Sequence, residues 1–467
     1  MAARDPQTAS NSTSTQILQQ QDNQFVHPWE SMHALGNNER TIVTQASGIY
    51  VYDSDGNKMI DGPAGMWCVN VGYGRHEIAE AMAKQAIEMP YSSPFSMGAQ
   101  PSGALAEKLA ALAPGDLNHV FFTTGGSTAV DSALRFVGFY NNFLDRPEKK
   151  HIISREDAYH GSTYISASVS GKSRDKEYVD LEQGFIHLLS SPNPFRRPAG
   201  MTPEEFRDAG VKELEDKILE IGPDRVAAFI AEPIMASGGV VIPSAGYHKA
   251  CLEVCRRHDV LYISDEVVTA FGRLGHMFAS EPVFDIVPDM ITCAKGLTSG
   301  YVPLGALLIS DRLLEELRGD EDHQAVFPGG YTYSGHPVSC AAALENIDII
   351  ERENLLENAR EVAPYFLEQL ATLEDLPLVA EVRGVGLMAG VECAIPGKES
   401  LKLDYEVGNR IDAHCQRLGL LVRPIYHMCV LSPPLIITPT QIDDLVAILR
   451  KGIELATEDL RREGIWE

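Results

Sequence analysis

A single lysine closes the apolar run Met290-Ile291-Thr292-Cys293-Ala294 and is followed at once by Gly296, so Lys295 reads as an amine at the end of a buried strand. A lysine that loses its hydration also loses affinity for its proton, which turns it into a nucleophile or a base. Upstream, Leu261-Tyr262-Ile263 runs into Ser264-Asp265-Glu266 and puts Asp265 at the end of a second strand. A carboxylate buried there stays ionised only beside a cation or strong donors. The third feature is Val120-Phe121-Phe122, followed by Thr123-Thr124-Gly125-Gly126-Ser127-Thr128 and then by Ala129, Val130, Ala133, Leu134 and Val137 at helical spacing. A glycine turn feeding a helix aims backbone N–H groups and the positive end of the dipole at one point, which suits a phosphate, with Ser127 adding a hydroxyl. Each feature alone has a commoner role as a wet surface lysine, a turn-capping aspartate or an ordinary helix cap.

Together the three explain one another. Pyridoxal phosphate has an aldehyde for an amine, a pyridinium nitrogen for a carboxylate and a phosphate for a helix N-terminus. In an open α/β sheet ligands sit beyond the carboxyl ends of the strands, so residues following separate strands meet in one crevice.

The elements that would position them follow from periodicity. Apolar runs at Val120, Ile152, Val226, Val260, Met290 and Leu304 alternate with helical stretches, which predicts a mostly parallel sheet covered on both faces. Before them, Gly48–Asp53 and Lys58–Asp61 flank Asp55-Gly56 as a hairpin. Residues 90 to 101 form a loop rich in aromatics and proline. After Gly335 the pattern changes to a helix carrying Leu355, Ala359, Val362, Phe366 and Leu370, strands at Val379–Gly384 and Leu420–Arg423, and a last helix opened by Thr438-Pro439. The expected division is a disordered tail at 1–24, poor in apolar residues, the N-terminal part of a small domain at 25–75, a large cofactor-binding domain at 76–334, and the rest of the small domain at 335–467.

With 65 acidic against 39 basic residues the net charge is −26, which repels nucleic acid and anionic membrane. No apolar run is long enough to span a bilayer. The eight cysteines show no metal-site spacing and read as reduced, and the start of the chain has no apolar signal core, so the cytoplasm is the expected location and no metal is expected.

The stretch from Leu261-Tyr262-Ile263-Ser264-Asp265-Glu266-Val267-Val268-Thr269-Ala270-Phe271-Gly272-Arg273 to Cys293-Ala294-Lys295-Gly296-Leu297 resembles class III pyridoxal-phosphate aminotransferases of the ω-amino acid or amine:pyruvate type, and the similarity extends from Pro28 to the last helix. The resemblance implies the α/β fold-type-I architecture, with a large domain plus a smaller α+β domain built from both chain ends. It implies a ping-pong transamination with Lys295 as the Schiff-base lysine, Asp265 as the partner of the ring nitrogen, Val267 on one ring face, Tyr159 on the other, and Gly126 and Ser127 as the phosphate cup. Tyr331-Thr332-Tyr333-Ser334-Gly335-His336-Pro337 is similar to a segment that the neighbouring subunit contributes, with Thr332 reaching the phosphate across the interface, which implies a homodimer or a tetramer. Arg423 matches the arginine that binds the acceptor's carboxylate. Trp67, Phe95, Tyr159 and Ser237 match pocket walls, and Glu232 a supporting acceptor.

One departure stands at the cup, where the family commonly has a glutamate and this chain has Thr128. The implied acceptor is a keto acid, pyruvate, and the donor an amine such as taurine, β-alanine, a polyamine or an aromatic amine. A decarboxylating transaminase or an aminomutase is the alternative on the same scaffold. A module that merely binds the cofactor is disfavoured by Lys295, Asp265 and Arg423 together.

Overall fold

The computed structural model describes residues 15–319, 324–398 and 400–466. Its centre is a seven-stranded sheet in the spatial order His119–Thr123, Gly305–Ile309, Met290–Cys293, Leu261–Asp265, Val226–Ala231, His151–Arg155, Ile186–Leu189. Gly305–Ile309 is antiparallel to both neighbours, and every other strand runs one way. The strand Ile186–Leu189 is an addition to the expected set, too short and too polar at His187 to stand out by pattern.

Both faces of this sheet are covered, which is why its strands read as continuous apolar runs. Ile152, Ala228, Ile230 and Ile263 pack with Val130, Ala133 and Val137 of the helix Gly126–Phe143. The alternate residues Ile153, Phe229 and Tyr262 pack on the other side with Leu214 and Ile218 of the helix Pro203–Ile221 and with Cys251 and Val254 of the helix Tyr247–Arg257. Each such side chain, fully withdrawn from water, contributes roughly 1.5–3 kcal/mol, so strand ends in this layer are held firmly.

A smaller α+β unit is built from both chain ends. The hairpin Tyr50–Asp53 and Lys58–Asp61 forms as expected, with Val43–Ser47 on one side and Leu420–Leu421, parallel to Lys58–Asp61, on the other. A second small sheet orders Val379–Val385, Met388–Cys393, Met428–Leu431 and Arg423–Ile425. The single strand expected at Leu420–Arg423 is therefore two strands in two sheets, with the change at Val422. Pro424, which has no N–H, lies on the edge strand, where the loss of a donor matters least. The last helix, Pro439–Arg462, opens with a reciprocal cap: Thr438 Oγ1 accepts from Gln441 N, and Gln441 Oε1 accepts from Thr438 N at 3.0 Å.

Of the segment expected to be a disordered tail, residues 1–14 lie outside the described residues, whereas Thr15–Asp22 forms a helix. No residue of this helix is buried; polar groups dock it, with Thr15 Oγ1 donating to Asp55 Oδ1 at 2.6 Å and Gln19 Nε2 to Asn38 O at 2.6 Å. Apolar patterning carries no trace of such an anchor. No helix among the described residues is long and apolar enough to cross a membrane.

Candidate active site

Lys295 leaves the strand Met290–Cys293 in a left-handed backbone conformation, φ 43°, which costs a non-glycine residue of order 1 kcal/mol and must be imposed by its surroundings. The next residue is gripped from both sides. Asn346 Nδ2 donates to Gly296 O at 2.8 Å and Leu297 O at 3.0 Å, and a Cβ on Gly296 would fall 2.4 Å from Asn70 Nδ2. Asn70 is held in turn by the fully buried Arg273, whose Nη2 donates to its Oδ1 at 2.9 Å. The amine thus projects from a fixed backbone into a cavity of about 850 Å³. Burial pushes its proton affinity down, against the pull of Asp265 and Glu232.

Asp265 ends the neighbouring strand Leu261–Asp265. Its Oδ2 lies 2.7 Å from His160 Nδ1, while Oδ1 accepts from Val267 N at 3.1 Å and Thr292 Oγ1 at 3.2 Å. The donors come from three separate elements, so the carboxylate is fixed in direction. His160 Nε2 is buried without a hydrogen-bond partner among the described residues.

The third strand of the set, His119–Thr123, leads through an extended Gly125 into the helix Gly126–Phe143. A Cβ on Gly126 would fall 2.9 Å from Val267 Cγ1, and one on Gly161 2.7 Å from Ser127 Cα, so two glycines let three backbone segments close around the helix N-terminus. Ser127 Oγ accepts from Ser162 N at 3.0 Å. Thr128 is turned back into its own turn, donating to Gly125 O at 2.9 Å and accepting from Thr124 N at 3.2 Å. In place of a glutamate it is a local brace.

Lys295, Asp265, Gly126, Ser127, Val267, Tyr159, Trp67, Ser237 and Arg423 all line this one cavity. Trp67 is 2% exposed and strained at φ 57°. The Arg423 guanidinium lies 4.6 Å from its ring centroid and Lys295 Nζ 5.5 Å. Arg423 Nη1 is buried with no hydrogen-bond partner among the described residues, and burial pushes the guanidinium's proton affinity down. Glu232 accepts from Tyr159 N at 2.9 Å and Ala236 N at 3.1 Å, and burial pushes its carboxyl up.

Phe95 and Thr332 do not line the cavity of the single chain. Phe95 is 71% exposed, Thr332 is exposed, and the two segments they sit on adjoin, with Tyr91 donating to Thr332 O at 3.1 Å. Phe95, expected as a wall of the pocket, lies on the same outward-facing surface of the single chain as Thr332.

The family model described as aminotransferase class-III matches residues 33–453. The chain belongs to the class III aminotransferases. It is 41% identical over 432 residues, 91% of this chain and 93% of the other, to a putrescine–pyruvate aminotransferase of Pseudomonas aeruginosa. To a diaminobutyrate–2-oxoglutarate transaminase of Halomonas elongata it is 40% identical over 440 residues, 92% and 94% of the two chains. Among solved structures, an (S)-enantioselective ω-transaminase from Thermomicrobium roseum superposes with TM-score 0.89 at 38% identity, covering 95% of this chain and 98% of that one. The ω-transaminase of Pseudomonas jessenii in complex with PMP gives 0.90 at 35% identity, covering 94% and 98%.

Class III aminotransferases use pyridoxal phosphate, and the residues of this chain fit it. A cradle that a Cβ at 126 or 161 would disturb, a sealed carboxylate at 265 and a sequestered amine at 295 match the phosphate, ring nitrogen and aldehyde. This class III aminotransferase also carries cavity residues that sequence reasoning left without a role: His160, Lys172, Arg174, Asp175, Trp29 and Tyr405. For His160 a signal existed in its adjacency to Tyr159 and Gly161. For the others there was none, because they sit on irregular segments or on a helix whose spacing marks only its packed face.

Proposed function

We propose that this pyridoxal-phosphate-dependent transaminase moves the amino group of an ω-amino acid or amine to pyruvate, with Lys295 as anchor and base, in a homodimer of shared active sites. The observation that carries the reading is the sequestered Lys295 amine at the end of its strand, in one cavity with Asp265 and the Gly126–Ser127 turn. When bound, pyridoxal phosphate supplies an aldehyde carbon that takes an amine and a ring that accepts electrons. The protein does the rest. Gly126 and Ser127 hold the phosphate at a helix N-terminus. Asp265 presents a fixed negative charge to the ring N–H, and Val267 and Tyr159 confine the ring. Lys295 Nζ, disfavoured from charging by burial, takes the proton from the amine-bearing carbon of the donor and, in the second half-reaction, gives one to the former carbonyl carbon of the keto acid. Arg423, whose Nη1 has no hydrogen-bond partner among the described residues, pairs with the carboxylate of the keto acid.

Pyruvate is supported by the putrescine–pyruvate relative and by Arg423. The dimer is supported by exposed apolar side chains on two adjoining segments, Ile87, Tyr91, Phe95 and Met97 on one and Val326 and Tyr333 on the other, where Thr332 also lies. We read the large domain as 76–334 and the small one as 25–75 with 335–467. The eight unpaired cysteines support a reducing, cytoplasmic compartment. The test is a half-reaction screen of purified enzyme with a panel of amines, followed spectroscopically, then reoxidation of the amino form by keto acids. Conversion by amines and recovery by pyruvate are expected; a cofactor spectrum that no amine alters would refute the reading. Sedimentation on dilution checks the dimer.

A further inference from the structure

Besides Lys295 and Arg423, the cavity holds another basic side chain with no hydrogen-bond or ion-pair partner among the described residues. Lys172 is 8% exposed and lines the cavity, and among the described residues its amine has neither a hydrogen bond nor an ion pair. It is delivered by a clamped backbone. Gly171 N donates to Ala158 O at 2.8 Å, and a Cβ on Gly171 would fall 2.0 Å from Arg155 O, so the turn is pressed against the end of the strand His151–Arg155.

The charged groups facing Lys172 are Asp175 and Arg174 on its own turn, Glu232 from beyond the strand Val226–Ala231, and Arg423 from the small sheet. Every carboxylate among them is engaged. Asp175 Oδ1 accepts from Arg174 Nε at 2.9 Å and Trp29 Nε1 at 3.1 Å, and Glu232 accepts two backbone N–H groups. Arg174 also donates to Tyr405 OH at 2.6 Å. The cations Lys172 and Arg423 are the groups left over. Burial lowers the Lys172 amine to about 8, so at neutral pH most of it is charged, at a desolvation cost that an incoming anion would offset.

We propose that Lys172 receives the anionic far end, carboxylate or sulfonate, of an ω-amino acid donor, while Arg423 receives the carboxylate of the keto acid, so that the two half-reactions use different cations. This rests on the transaminase reading. A diamine fits less well, because its distal ammonium would meet two free cations and carboxylates already paired.

The test uses the holoenzyme and single-turnover rates for 4-aminobutanoate, taurine, 1-phenylethylamine and pyruvate, comparing the unaltered protein with Lys172→Met and Arg423→Met. Methionine keeps the stem of the lysine and removes the charge. With Lys172→Met, the loss in rate over half-saturation for the two anion-tailed donors is expected to exceed the losses for 1-phenylethylamine and pyruvate by roughly tenfold or more. Arg423→Met should do the reverse, with pyruvate losing most. Calorimetric titration of butanoate, which has the tail and no amine, should show roughly tenfold weaker binding to Lys172→Met. Equal losses across all substrates, a loss confined to pyruvate, or unchanged butanoate binding would overturn the assignment. So would an unaltered enzyme that accepts 1-phenylethylamine and refuses anion-tailed donors; one that accepts no amine would overturn the transaminase reading itself.

Discussion

His160 Nδ1 stands 2.7 Å from Asp265 Oδ2, with the two side chains 0% and 3% exposed. The pair ties the turn Tyr159-His160-Gly161 to the end of the strand Leu261–Asp265, so the direction in which Asp265 presents its charge depends on His160. Replacing His160 by Phe leaves one carboxylate oxygen without its donor in a water-poor site. A charge-assisted hydrogen bond contributes about 1.5–3 kcal/mol, so kcat should fall roughly tenfold to a hundredfold and cofactor affinity should weaken, with His160→Gln recovering part of both. Wild-type kcat in His160→Phe would show that Asp265 needs no such support.

Gly126 is a packing requirement of the cup. Its φ is ordinary, so alanine meets no backbone strain there; the obstacle is Val267 Cγ1, 2.9 Å from the new Cβ. Gly126→Ala should weaken cofactor binding roughly tenfold or more, since the helix N-terminus must shift by a few tenths of an ångström, and Val267→Ala in the same chain should restore much of it. Equilibrium dialysis of the cofactor against the single and double variants checks this; no rescue would move the cause away from Val267.

Arg423 sits 4.6 Å from the Trp67 ring centroid, with one guanidinium nitrogen unpartnered among the described residues. Arg423→Ala should raise KM for pyruvate roughly tenfold to a hundredfold and affect an apolar amine far less. Steady-state kinetics with each substrate varied in turn separates the two, and full turnover with pyruvate would remove Arg423 from acceptor binding.

Away from the cavity, Glu392 anchors the second small sheet to the turn Pro194–Arg196. Its carboxylate, 1% exposed, accepts from Arg196, from Arg383 at 2.7 Å, and faces His427 at 3.3 Å. Burial pushes its pKa up, but His427, Arg383 and Arg196 outweigh that and hold it at about 2, below the ordinary 4.5. A depressed carboxylate stabilises the fold above its unfolded pKa and ceases to do so as pH falls through the folded one. Glu392→Gln should therefore cost about 2–3 kcal/mol at neutral pH, with the deficit shrinking from about pH 4.5 down towards 2. Thermal unfolding across that range checks it, and a deficit constant with pH would assign the loss to packing.

How much of this was readable beforehand depended on where each residue sits relative to regular structure. Lys295, Asp265 and the Gly126–Ser127 turn each follow a strand of a sheet covered on both faces, so the apolar runs pointed to them, and the crevice rule brought them together. Trp67, Tyr159 and Ser237 needed the family resemblance, because their segments carry no periodic signal of their own; Arg423 needed it because a strand pattern at Leu420–Arg423 does not say what its last residue binds. Lys172 was illegible for a physical reason: it lies on a turn fixed by Gly171 against Arg155 O, a contact across sixteen positions that no local pattern encodes. The break at Val422 was hidden because Leu420–Ile425 is apolar enough for one strand, and only the competing partners, Lys58–Asp61 and Met428–Leu431, divide it.

Lys295, and not Lys172, the other lysine that lines the cavity, is the residue we propose to carry the cofactor. Borohydride reduction of the holoenzyme followed by peptide mass spectrometry tests it directly. The cofactor's mass should be fixed on the peptide containing Lys295 in the unaltered protein, and a folded Lys295→Ala variant should retain no such adduct and lose turnover by roughly a thousandfold or more. An adduct on Lys172, or substantial turnover by Lys295→Ala, would contradict this assignment.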